Sequence, residues 1–161
     1  MRRTLLKNIQ ELGSYWKNYV FQSLFATLVI FAVLLALRFQ DVIIIASIGS
    51  TAFIVFAMPN GITARPRNVI GGQLVGFLCG YLCGLIPHGS PLIAAVVYSF
   101  AVGLSIFTMV VTDTEHPPAS GTSLGVAISG FRLEVLVALI ASVLALSLVH
   151  RVFKRYLRDL T

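Results

Sequence analysis

The sequence predicts an all-α fold, a polytopic helical membrane protein of about six membrane segments, and three observations carry that expectation. Hydrophobic residues make up 57% of the 161 positions and only 11% are charged, too little polar surface to cover the core of a soluble domain. Apolar runs recur from Val20 almost to the end, separated by short stretches rich in proline, glycine and charge. The cations gather in the two tails, Arg2, Arg3, Lys7 and Lys17 before the first run and Arg151, Lys154, Arg155 and Arg158 after the last. Residues 1–161 therefore read as one transmembrane domain with no soluble part to carry a separate activity.

The segments follow from the need for about 20 apolar residues to cross about 30 Å of hydrocarbon. Residues 20–37 supply the first span, closed by Arg38 and Asp41. The run is longer than a signal-peptide core and lacks a small-residue cleavage site, so it reads as a retained helix. Residues 42–58 form a short second span carrying Ser47, Gly49, Ser50 and Thr51 near its start. A loop with Arg65 and Arg67 precedes the third span, 69–86, and Pro87-His88-Gly89-Ser90-Pro91 precedes the fourth, 92–111. Residues 118–130 are apolar, but at about 1.5 Å per residue they are too short to cross unaided. Residues 133–149 form the last span.

Basic residues set the expected topology. Both tails are expected in the cytoplasm by the positive-inside rule, as in a multi-pass protein of a bacterial inner membrane. Equal sides require an even number of crossings, so the short segment must cross in some form, which gives six. Arg65 and Arg67 then also face the cytoplasm, and residues 87–91 face outward without a single Lys or Arg. The net charge of +6 reflects this orientation and anionic lipid head groups rather than nucleic acid.

Cys79 and Cys83 lie four apart on one helical face and read as small packing residues rather than a disulfide or metal pair. Gly72, Gly76, Gly80 and Gly84 form a small-xxx-small ladder along the third span, repeated more weakly by Gly121, Gly125 and Ser129. Such a face brings backbones together within or between subunits, which makes a homo-oligomer an expectation, or it lines a narrow pore with bare backbone.

An internal echo links Ala46-Ser47-Ile48-Gly49-Ser50-Thr51 to Ala119-Ser120-Gly121-Thr122-Ser123. Two inverted three-helix repeats, 1–87 and 88–161 with interrupted middle helices, would place these clusters in equivalent positions; chance or ordinary small-residue packing would also produce them. Interrupted helices in inverted repeats point free N–H groups and positive dipole ends toward a midplane site, which suits an anion.

Between the fourth and fifth segments stands Asp113-Thr114-Glu115-His116-Pro117-Pro118. The two prolines forbid a helix through them, and Pro118 can open the next one. His116 is thus held at the mouth of the short segment, where flanking carboxylates would favour its protonated form. It acts there as a structural cap or as a proton-handling or gating group. One His and two acids in four residues cannot wrap a metal without ligands from elsewhere, and His88 and His150 lie in distant segments.

At these residues the chain resembles the HPP family of integral membrane proteins. The resemblance rests on Gly49, on Pro66-Arg67-Asn68 with Gly71-Gly72, and on His116-Pro117-Pro118-Ala119. It implies nitrite transport, the activity associated with members in cyanobacterial and plastid membranes. One departure is visible, because Gln73 stands where the family pattern commonly has His after the Gly-Gly. The resulting expectation is a transporter or channel for a small inorganic anion, nitrite leading, with no cofactor and no metal. Arg67 and Asn68 would attract the anion. Ser47, Gly49, Ser50, Thr51, Ser120, Gly121, Thr122 and Ser123 would line its path, and His116 would gate it or supply a proton. A non-transporting assembly or anchoring subunit is the alternative, and a membrane-embedded metal-dependent enzyme a further one.

Overall fold

The structure, a computed structural model, describes residues 2–37 and 42–160. Among the described residues six α-helices follow one another: α1 (Arg2–Leu37), α2 (Val42–Ala57), α3 (Pro66–Gly84), α4 (Pro91–Val111), α5 (Pro118–Ser129) and α6 (Leu133–Phe153). Short 3-10 turns occupy Ile62–Ala64 and Lys154–Tyr156, and no strand occurs among the described residues. Proline opens α3, α4 and α5, where its missing N–H costs nothing because the first N–H groups of a helix lack intrahelical partners anyway. The expected closure of the first span by Arg38 and Asp41 lies outside the described residues.

The first helix and the middle helices differ from expectation. Helix α1 begins at Arg2 rather than Val20 and absorbs the basic tail, with a break in helical geometry at Tyr15 (φ −122°, ψ 17°). The middle helices of the two halves are short rather than interrupted: α2 and α5 are each continuous, and the 12 residues of α5 rise only about 18 Å. Among the described residues α4 and Leu133–Tyr156 are long and apolar enough to cross a bilayer, and Ala46–Ala57 is a shorter apolar helix.

Helix α5 sits inside the bundle between α2, α3 and α4. It runs parallel to α3, since a side chain at Gly72 would meet His116, at Gly76 Ala119, at Gly80 Ser123 and at Gly84 Ala127. It runs antiparallel to α2, where Ser47 reaches Thr122 and Thr51 reaches His116. The glycine ladder of α3 is therefore consumed within one chain. Along that face the Ala119 and Ser123 carbonyls of the same chain lie against Gly76 and Gly80.

The remaining core joins α2, α3 and α6 through Ile48, Val55, Phe56, Val69, Phe77, Leu139 and Leu146. Helix α1 attaches at the edge. Phe25 packs edge-on against Phe56 and Phe153, with ring centroids 5.4 and 4.9 Å apart. The buried Gln22 amide donates to the carbonyls of Phe56 (2.5 Å) and Arg158 (2.8 Å).

The ends of the bundle differ in charge. Tyr19 donates to the Leu160 carbonyl at 3.0 Å, and the Leu160 N–H donates to Ala57 at 2.8 Å. These bonds gather the start of the α1 span, the α2–α3 connection and residues 154–160 at one end. Arg65, Arg67, Arg151, Lys154, Arg155 and Arg158 lie there, whereas Arg132 opens α6 at the other. Along the sides the usual distribution is inverted. Leu28, Phe31, Leu78, Leu92, Phe107 and Leu148 are exposed, while Gln22, Ser47, Thr51, Gln73, His116, Thr122 and His150 are buried. Exposed large apolar side chains around a core that also buries polar ones are what a hydrocarbon solvent selects.

Candidate functional site

The His-Pro-Pro corner is built by the end of α4. Asp113 takes φ 54°, a left-handed conformation that Asp tolerates better than most residues. The chain can then turn so that the Thr114 N–H donates to Met109 (2.9 Å) and the Asp113 N–H to Val110 (3.3 Å). This pair of hydrogen bonds closes the helix and satisfies the Met109 and Val110 carbonyls near its end. Pro118 then opens α5, as expected, with Pro117 already helical at φ −49°, ψ −38°.

The first turn of α3 straps this corner down. Arg67 donates to the Thr112 carbonyl at 3.2 Å and pairs with Asp113 at 3.2 Å, both side chains exposed. The buried Asn68 donates to the Glu115 carbonyl at 3.3 Å. Both residues expected to attract an anion thus hold the loop. The exposed ion pair itself contributes little, on the order of 0–1 kcal/mol.

Beneath the strap His116 is completely buried. Its Nδ1 lies 2.9 Å from the Thr63 carbonyl and its Nε2 2.9 Å from Thr51 Oγ1. A carbonyl only accepts, so Nδ1 carries a proton. Burial pushes the imidazole down, to about 4, against the upward pull of its bond to Thr63. The flanking carboxylates do not set its charge state, contrary to expectation: Asp113 is turned to Arg67 at the surface, and loss of hydration outweighs their pull.

From Thr51 the polar contacts continue. Gln73 Nε2 donates to Thr51 Oγ1 (3.0 Å) and to Ser47 Oγ (3.2 Å), and Gln73 Oε1 accepts from Thr122 Oγ1 at 2.6 Å. Ser47 Oγ lies 2.7 Å from both Thr122 Oγ1 and the Pro118 carbonyl. All five side chains, from α2, α3, α5 and the corner, are buried.

The proton count of this network is informative. Thr51 Oγ1 is 2.9 Å from the Ser47 carbonyl as well as from His116 Nε2. With a neutral ring, the Thr51 hydroxyl donates to Nε2. With a protonated ring, Nε2–H donates to Thr51, whose own proton turns to the Ser47 carbonyl. The network therefore accepts one proton without leaving a buried polar atom unpaired, the condition under which such networks avoid a large desolvation penalty.

The other expected site residues fall elsewhere. Ser50 is exposed and bonds back to Ala46, and Ser120 bonds to Pro117. Gly49 and Gly121 have open space where a side chain would begin. Ser50 and Gly121 line an open groove of about 510 Å³ between α2 and α5, whose inner wall includes Ser47. Ser123 is buried but faces α4, donating to Ala101 at 2.9 Å. Gln73, which joins the two halves of the network, was legible only as a departure from a pattern. A lone long polar side chain in a glycine-rich span was its available signal.

The description of the HPP transmembrane region matches residues 13–159. The chain belongs to the HPP family. A transmembrane protein of Dictyostelium discoideum is 28% identical over 132 residues, covering 76% of this chain and 42% of the relative. The chain thus spans less than half the length of that relative. No solved structure matches it.

Proposed function

We propose that this HPP-family membrane protein moves a small inorganic anion, nitrite first, across the bilayer with His116 coupling the anion to a proton. The observation that carries the reading is the buried network of Ser47, Thr51, Gln73, His116 and Thr122, in which one proton can be taken up with every polar atom still paired. An anion brought against this network would raise the affinity of His116 for a proton, because the two charges neutralise each other in a medium that solvates neither alone. The Ser47, Thr51 and Thr122 hydroxyls and the Gln73 amide are the donors that would replace the anion's water. Gln73, in place of the His common in the family pattern, leaves His116 as the titrating group of this network.

In this reading the six helices cross the membrane, α5 as a short element packed wholly against protein, and the cation-rich end faces the cytoplasm. Arg67 and Asn68 act on the path indirectly, by holding residues 112–116 over it. Release of this strap and of the Thr63 contact is the movement that would open the network to that side.

Anion flux into proteoliposomes tests the proposal. Wild-type protein is expected to carry nitrite, and His116→Ala to lose the flux while remaining folded. A folded wild-type protein that passes no anion would favour the non-transporting assembly subunit, for which a fully paired network is merely a fastening between helices.

A further inference from the structure

On the opposite side of α3 from α5, a second feature lies at the cation-rich end. Arg65, Pro66 and Ile70 of the α3 start and Leu144, Ser147, Leu148, His150, Arg151 and Lys154 of the α6 end enclose an open cavity of about 460 Å³. Two polar atoms in its lining have no partner. Ser147 Oγ and His150 Nδ1 are buried without a hydrogen bond, in residues only 5% and 2% exposed. His150 Nε2 is 2.8 Å from the Pro59 carbonyl and so carries the ring proton, which leaves Nδ1 as an acceptor. Buried polar atoms are nearly always paired, so two orphans in one cavity point to a partner that binds there.

The cavity also continues downward. Ile70 and Leu144 line it and equally line a narrow apolar slot of about 80 Å³, completed by Gln73, Leu74, Leu139, Ile140 and Val143. Cations above, a hydroxyl and an acceptor nitrogen at the middle and an apolar slot below match the profile of one amphiphile. Basic pockets between helices at the cytoplasmic surface recognise anionic lipid head groups by this arrangement.

We propose that the α3–α6 crevice is a binding site for one anionic phospholipid whose head group carries hydroxyls, of the phosphatidylglycerol type. Its phosphate lies among Arg65, Arg151 and Lys154 and accepts from Ser147 Oγ–H. A glycerol hydroxyl donates to His150 Nδ1, and one acyl chain follows Ile70 and Leu144 into the slot against Gln73. The head-group end of the site lies apart from the proposed anion path, which the slot meets only at Gln73, and its test requires no flux.

Native mass spectrometry of the full chain in detergent, with phosphatidylglycerol, phosphatidylcholine or inorganic phosphate added, decides the matter. Phosphatidylglycerol is expected to be retained over phosphatidylcholine. The double variant Arg151→Gln, Lys154→Gln is expected to weaken that retention about thirtyfold, the effect of removing two near-surface cations. Lys17→Gln with Arg155→Gln removes equal charge from the same end but away from the cavity, and retention is expected to persist. Ser147→Leu keeps every charge but fills the cavity and is expected to lose the lipid; Ser147→Val serves if that variant does not fold. Equal retention of both lipids, equal loss in the charge control, or displacement of the lipid by millimolar inorganic phosphate would each overturn the assignment.

Discussion

Helix α5 meets α3 on one face and α2 on the other, and the two contacts are made of different material. Toward α3 the contact is mostly shape: Gly76 and Gly80 leave room for the Ala119 and Ser123 carbonyls, and the Thr122–Gln73 hydrogen bond crosses it near one end. Toward α2 it is chemistry, with Ser47, Thr51, Thr122 and His116 sharing protons around Gln73. In lipid, where apolar surface gains nothing from leaving its solvent, close backbone packing and interhelical hydrogen bonds are the available sources of association. One short helix uses both. The steric face is indifferent to pH and ions, whereas the polar face has a state that depends on one proton.

The largest expected effect tests the steric face. Gly80→Leu would place a branched side chain on the Ser123 backbone, so size-exclusion profiles are expected to show loss of the folded, monodisperse protein. A stable Gly80→Leu protein would show that α3 and α5 do not meet there. On the polar face the largest effect follows pH. His116 is depressed from 6.5 to about 4, so its neutral form contributes stability that is full above about 6.5 and is lost as pH falls through about 4. The difference is on the order of 3 kcal/mol. Thermal unfolding in detergent between pH 7 and 4 is expected to reveal this loss, and His116→Gln to flatten it. An unchanged slope in that variant would assign the dependence to other groups.

Smaller again is Thr51→Val. Loss of the hydroxyl leaves His116 Nε2 and one Gln73 N–H unpaired in a buried place, at a cost of about 1–3 kcal/mol of stability. A melting temperature equal to wild type would mean that water or another group takes the hydroxyl's place. The smallest change belongs to the groove side of α5. Gly121→Ala meets open space and adds a better helix former, so a gain of about 0.5–1 kcal/mol is expected. Destabilisation there would reveal that something normally fills the groove.

Much of this was legible in advance for identifiable reasons. Apolar length located all six helices to within a few residues at most ends, because hydropathy is a property of the run and survives any packing. The corner was legible because two prolines leave few local conformations. The α1 start was not, because a basic tail can continue a helix without changing its hydropathy enough to be counted as span. Nor was the division of the hydroxyls. Ser47 and Thr51 are four apart and share a face, while Gly49 and Ser50 are turned away from it, but which face looks inward is fixed only by the partner helices. Gln73 was the hardest case: its role requires hydroxyls from α2 and α5 at once, and no local pattern announces a contact between three helices.

Gln22 carries a consequence for time rather than for place. Among the described residues helix α1 meets the bundle at its edge, through α2 and α6, and its aromatic packing against Phe56 and Phe153 has exposed neighbours such as Phe21 and Leu24. The Gln22 amide, holding the Phe56 and Arg158 carbonyls while its oxygen accepts from the Arg158 N–H, is then a latch whose release frees both α1 and residues 154–160 together. The bundle's slowest-exchanging amides should lie in α3 and α5, and its fastest cooperative opening should be the joint departure of these two sequence-distant segments.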